Sequence, residues 1–168
     1  MITTRHANIL FFVVVLGCCL PVSADKAIAQ SYGQRGGWIV ERSAEYEGCI
    51  AKQAQHDVII RYGYDGISRM RFINFSSFSW LGWLPNSAHN LVFDFHSSRH
   101  GKHEVLATFR IREGMPTFEI GDLNARFLEI LGNASLLSVY NGGIPISNRP
   151  ISLRKTKDAI DLVDECQD

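Results

Sequence analysis

Residues 91–112 read LVFDFHSSRHGKHEVLATFRIR. Val105, Ala107, Phe109 and Ile111 alternate with Leu106, Thr108, Arg110 and Arg112, and Leu91, Phe93 and Phe95 alternate with Val92, Asp94 and His96. Alternation with a period of two predicts two strands, each with one buried face. Ser97 to Lys102 supplies the polar turn between them. The stretch therefore predicts an antiparallel hairpin, and the surrounding chain extends it.

Upstream, Trp38-Ile39-Val40, Gly48-Cys49-Ile50-Ala51 and the β-branched run from His56 to Tyr62 read as strands. Asp65-Gly66 is a hairpin signal before the apolar positions Ile67, Met70, Phe72 and Phe75. Downstream, Gly114 turns the chain into a short strand at Thr117–Ile120. The period then changes. Leu123, Phe127, Ile130 and Leu131 follow helical spacing, with Asp122 as N-cap and Gly132 as stop. Strands at Leu136–Tyr140 and Ile151–Leu153 follow. A closing helix, capped by Thr156, turns Ala159, Ile160, Val163 and Cys166 inward. The expected fold is mainly β or α+β: a single domain over residues 37–168, built as a curled antiparallel sheet or partly open barrel with one internal and one C-terminal helix.

The first thirty residues read differently. Arg5 and His6 precede the apolar run ILFFVVVL (residues 9–16), and Val22-Ser23-Ala24 ends in small residues. This is the pattern of a secretory signal peptide over residues 1–24, with an alternative cleavage after Ala29. Eight apolar residues are too few to span a bilayer, which needs about 20, so an uncleaved anchor fits less well. A lipobox reading of Val15-Leu16-Gly17-Cys18 is the alternative; it makes the protein a membrane-anchored lipoprotein acylated at Cys18. Residues 25–36, polar and glycine-containing, are expected to form a flexible lead-in.

Of four cysteines, Cys18 and Cys19 fall in the leader. Its removal leaves Cys49 and Cys166, an even count that predicts one disulfide and an oxidising compartment, periplasmic or secreted. The full chain carries 17 Lys+Arg and 17 Asp+Glu; loss of residues 1–24 removes Arg5 and leaves 16 against 17. Such a balance offers no electrostatic footprint for nucleic acid.

Three stretches are candidates for function. His96, His100 and His103 lie within eight residues, and imidazoles flanking a turn are candidate zinc or copper ligands, although Arg99 and Lys102 beside them repel a dication. Phe78, Trp80 and Trp83, with Leu81, Leu84 and Pro85, in a Gly/Ser/Asn-bounded loop, either plug one end of the fold or present a hydrophobic interaction surface; Phe78, Trp80, Trp83 and Leu84 are the candidate contact residues. Asn74 and Asn133 head glycosylation tripeptides. No Gly-x-Ser-x-Gly turn and no carboxylate pair marks a catalytic centre, and Gly33-x-x-Gly36-Gly37 precedes a strand, so it is no phosphate loop. No cofactor is expected.

The order of these segments carries a resemblance. Trp38-Ile39-Val40 is followed by Cys49; a Leu/Phe-rich helix ends in Leu131-Gly132-Asn133-Ala134; Ile151-Ser152-Leu153 and Ala159-Ile160-Asp161-Leu162 close the chain. This layout resembles small secreted alphaproteobacterial proteins of the invasion-associated locus B type, in which a Trp-x-Val strand opens the domain and a helix closes it. Two departures are visible: Lys155 stands near a position where that family has glycine, and a second internal cysteine pair is absent. The resemblance implies a periplasmic or secreted β-rich protein that binds a protein or cell-envelope component, and it brings no catalytic residue with it.

Overall fold

The computed structural model describes residues 30–96 and 101–168. The leader, Cys18 and His100 lie outside the described residues. Among the described residues eleven strands pair antiparallel: β1 (Gln30–Arg35), β2 (Trp38–Ser43), β3 (Gly48–Gln55), β4 (Val58–Asp65), β5 (Met70–Ser76), β6 (Ser87–Asp94), β7 (Lys102–Arg112), β8 (Met115–Ile120), β9 (Leu136–Asn141), β10 (Ile144–Pro145) and β11 (Ile151–Ser152). Their order across the sheet is β1-β2-β3-β4-β5-β8-β7-β6-β9-β10, with β11 also paired to β9. The sheet does not close into a barrel. Two helices accompany it, α1 (Ala125–Asn133) and α2 (Thr156–Gln167).

The hairpin that decides the fold is present as read, with Leu91 opposite Val105 and Phe93 opposite His103. Its inward positions, Leu91, Phe93, Ala107 and Phe109, join Trp38, Val40, Ile60, Tyr62, Phe75 and Phe118 in one buried core. Both helices cover this face. α2 lies on β1–β4 and α1 packs beside it, with Phe127 of α1 within 6 Å of Phe93 and Phe95. The outer face carries ion pairs: Lys52 to Glu41 at 2.7 Å, Arg110 to Glu119 at 3.3 Å, and Arg112 bonded to both Glu119 and Glu45.

Cys49 and Cys166 form a disulfide with Cα atoms 6.0 Å apart, joining β3 to the last turn of α2. The expected inner face of α2 is also present, since Ala159, Ile160, Val163 and Cys166 are all buried.

Four local expectations are corrected. Residues 30–35, expected in the flexible lead-in, form β1; Gly36 and Gly37, both at positive φ, make the two-residue turn that folds it onto β2. The segment has no apolar face to announce a strand because it lies at the sheet edge. Helix α1 is capped by Asn124, whose side chain accepts from Phe127 N at 2.9 Å, while Asp122 takes a left-handed conformation two residues too early for the role. Gly132 lies inside that helix, which ends at Ala134 with its N–H on Ile130 O. Thr156 is the first residue of α2, and Lys155, at φ +65°, stands in the cap position without a side-chain capping bond.

Candidate functional site

The loop between β5 and β6 is built around a single 3-10 turn, Phe78–Trp80. Ser77 caps it: its hydroxyl accepts from Ser79 N at 3.2 Å, and its carbonyl accepts from Trp80 N. A turn this tight sends consecutive side chains to different sides, and so divides the four residues singled out from the sequence. Trp80 points inward, is 5% exposed, packs 5.0 Å from Phe118, and donates its indole N–H to Ile146 O at 3.2 Å. Trp83 is half-buried against Phe109, Phe118 and His89, with ring centroids 5.5–5.6 Å apart. Phe78 and Leu84 point outward at 63% and 77% exposure, and Leu81, between them, is 67% exposed. The two tryptophans therefore plug the sheet end and hold the turn in place. The projecting apolar group is Phe78, Leu81 and Leu84. Leu81 belongs to the apolar stretch read from the sequence, and its three-residue spacing from both outward neighbours places it with them.

The histidines of the β6–β7 turn have different surroundings. His96 is exposed and its Nε2 lies 2.7 Å from Ser138 Oγ. His103 stands edge-on to Phe95, ring centroids 5.7 Å apart, beside Phe127. Among the described residues no three His, Cys, Asp or Glu side chains come together as a metal site. Asn74 of the first glycosylation tripeptide is buried in the sheet, its amide donating to Tyr46 Oη at 3.2 Å.

Concave surfaces lie elsewhere. A cavity of about 420 Å³ opens between the helices, with an apolar floor of Leu123, Leu128 and Ile160 and a charged rim of Arg71, Lys157 and Asp161. Arg71 is committed there, donating to Tyr62 Oη at 2.8 Å and paired with Asp164 at 3.0 Å. Burial pushes the Tyr62 hydroxyl up to about 12, so it stays protonated as the acceptor of that bond. A second cavity of about 390 Å³ sits on the outer face, between Tyr46, Phe72, Asn74 and the Arg112–Glu119 pair. Burial, then the neighbouring Glu45 carboxylate, raises Tyr46 to about 12.

The fold is shared with a solved bacterial protein. The chain superposes on the crystal structure of invasion associated protein B from Bartonella henselae with a TM-score of 0.59 at 12% sequence identity, over 80% of this chain and 96% of that one. The layout-level resemblance read from the Trp38 strand, the internal helix and the closing helix is thus matched in three dimensions. No protein-family model and no curated protein sequence matches the chain. Among the described residues no helix is long and apolar enough to cross a membrane.

Proposed function

We propose that this chain is an exported, non-catalytic binding protein, periplasmic or secreted, that contacts a protein or other envelope component through the β5–β6 loop. The observation that carries the reading is the outward set of Phe78, Leu81 and Leu84 on a turn whose Trp80 is locked inside. Large apolar side chains gathered on a surface mark interaction sites. A rigid support lowers the ordering cost of engaging a partner. The Cys49–Cys166 disulfide supports export, since such bonds persist in oxidising compartments. The likeness to a protein described as invasion associated fits a role at the cell envelope.

A photo-crosslinking residue at Leu81, expressed in the native host, tests the contact. A reproducible adduct that disappears in the F78S/L81S/L84S variant, with circular dichroism unchanged, is the expected result. Absence of any loop-dependent contact would remove the loop from the reading. Intact-mass analysis of the purified protein tests export: the expected mass lacks residues 1–24 or 1–29.

A further inference from the structure

The charge pattern around this loop identifies its partner more closely. No Lys, Arg, Asp or Glu occurs from Phe72 to Phe93, although charged residues make up 20% of the chain. We infer that the β5–β6 loop seats on the surface of a lipid bilayer, with Phe78, Leu81 and Leu84 inserted at the boundary between headgroups and acyl chains. The inference rests on the loop reading above and names the envelope component it meets.

Three observations favour lipid over a protein partner. First, charge: a side chain that carries a charge is costly to bring toward the acyl layer, and the whole span that would approach it has none. Second, the backbone. Water is scarce at that depth, so polar groups must be satisfied internally. Trp80 N bonds Ser77 O, Leu81 N bonds Phe78 O, Trp83 N bonds Trp80 O, and Asn86 N bonds Phe109 O. Ser87 Oγ closes on Leu84 O at 2.6 Å. These bonds lower the cost of taking the turn out of water. Third, size: three projecting side chains fall well short of the roughly 1,200–2,000 Å² of a stable protein interface. They do suffice for shallow insertion, where binding scales with buried apolar area. The half-buried Trp83 stands behind them, as an indole does at the headgroup level.

Binding should be weak and reversible, comparable with the roughly 10⁴ M⁻¹ of a single acyl chain. It should also be insensitive to salt, because no basic cluster drives it. The test uses the oxidised protein without its apolar leader, residues 1–24, and vesicles of zwitterionic phosphatidylcholine, with and without brominated acyl chains. The expected result is saturable co-sedimentation that holds across about 0.05–0.5 M salt, with quenching of the fluorescence of Trp83. The F78S/L81S/L84S variant should lose at least tenfold in partitioning, and the single L81D variant, at an exposed position, should do the same with the fold intact. No vesicle binding, binding that survives L81D, or binding abolished by salt overturns the inference. A protein adduct at Leu81 without vesicle binding overturns the bilayer while leaving the binding-protein reading in place. Loss of both adduct and vesicle binding removes the two together.

Discussion

Gln55 and Ser152 exchange two hydrogen bonds of 2.7 Å: the Gln55 Nε2 donates to the Ser152 carbonyl oxygen, and its Oε1 accepts from the Ser152 N–H. Ser152 lies in β11, which pairs with β9 at Leu136. The carboxamide of a β3 side chain thus takes the place of a neighbouring strand and links regions far apart in the sheet order. The Gln53 Oε1 accepts the remaining Gln55 N–H at 2.6 Å and holds the amide in that orientation. Gln55→Ala should cost about 1–2 kcal/mol by leaving both backbone groups without a partner. Gln55→Glu, which keeps only the acceptor, should not restore the loss. Urea midpoints of the three proteins decide it, and a midpoint unchanged in the alanine variant rules the link out as a stabilising one.

The turn between β5 and β6 predicts opposite outcomes for two aromatic residues two positions apart. Trp80→Ala removes a buried indole and strands the Ile146 carbonyl, and should cost about 3–5 kcal/mol. Phe78→Ser, at an exposed position, should stay within about 0.5 kcal/mol of the parent. Thermal unfolding of both variants measures the difference; equal losses would mean that the two rings share one environment.

Much of this architecture is legible in the residues themselves. Val105 to Arg112 alternates cleanly because β7 lies inside the sheet with one face on the core. Ala159, Ile160, Val163 and Cys166 mark the inner side of α2 because a helix on a sheet must bury one stripe. Edge strand β1 was missed because Gln30–Arg35 contributes backbone hydrogen bonds and no apolar stripe; only Gly36-Gly37 signalled it. The site was half legible. A cluster of large apolar residues in a loop announces either a plug or a surface, and the sequence alone could not assign each side chain. The 3-10 turn makes that assignment, sending Trp80 one way and Leu81 the other.

The disulfide spans 117 residues of sequence. Closing a loop of that size removes about 4–5 kcal/mol of chain entropy from the unfolded state in the simplest treatment, and measured effects run lower. Reduction, or the paired Cys49→Ser and Cys166→Ser substitutions, should therefore lower stability by about 2–5 kcal/mol. Guanidinium unfolding with and without reductant reads it directly, and coincident curves would show that the link adds nothing.

Alkaline pH should weaken the fold through Tyr62. Below pH 10 its phenol is protonated in both folded and unfolded chains, and stability is unaffected. Between about 10 and 12 the unfolded chain releases the proton while the buried, folded one keeps it, so stability falls as pH rises. Tyr46 is raised in the same way and contributes to the same fall, so Tyr62→Phe should make it shallower without abolishing it, at the cost of the bond from Arg71. A slope in this window that is the same in both proteins would place the effect elsewhere.

Lys155 occupies a left-handed backbone position at φ +65°, where glycine carries no steric penalty. A Cβ on Gly36 would lie only 2.2 Å from the Lys155 Cβ. Lys155→Gly should therefore raise stability by about 0.5–1 kcal/mol, and should reduce the loss caused by Gly36→Ala. A double-mutant cycle measures that coupling; additive effects would show that the two positions do not touch.

The covalent bond between Cys49 and Cys166 also governs what a cut chain does. Nearly every connecting loop, including the apolar turn at Phe78–Trp80, falls between these two cysteines. A protease that nicks any of them leaves the two pieces tethered, migrating together on a gel until a thiol is added. The molecule can lose its continuity in a protease-rich surrounding and still keep all its parts in one place.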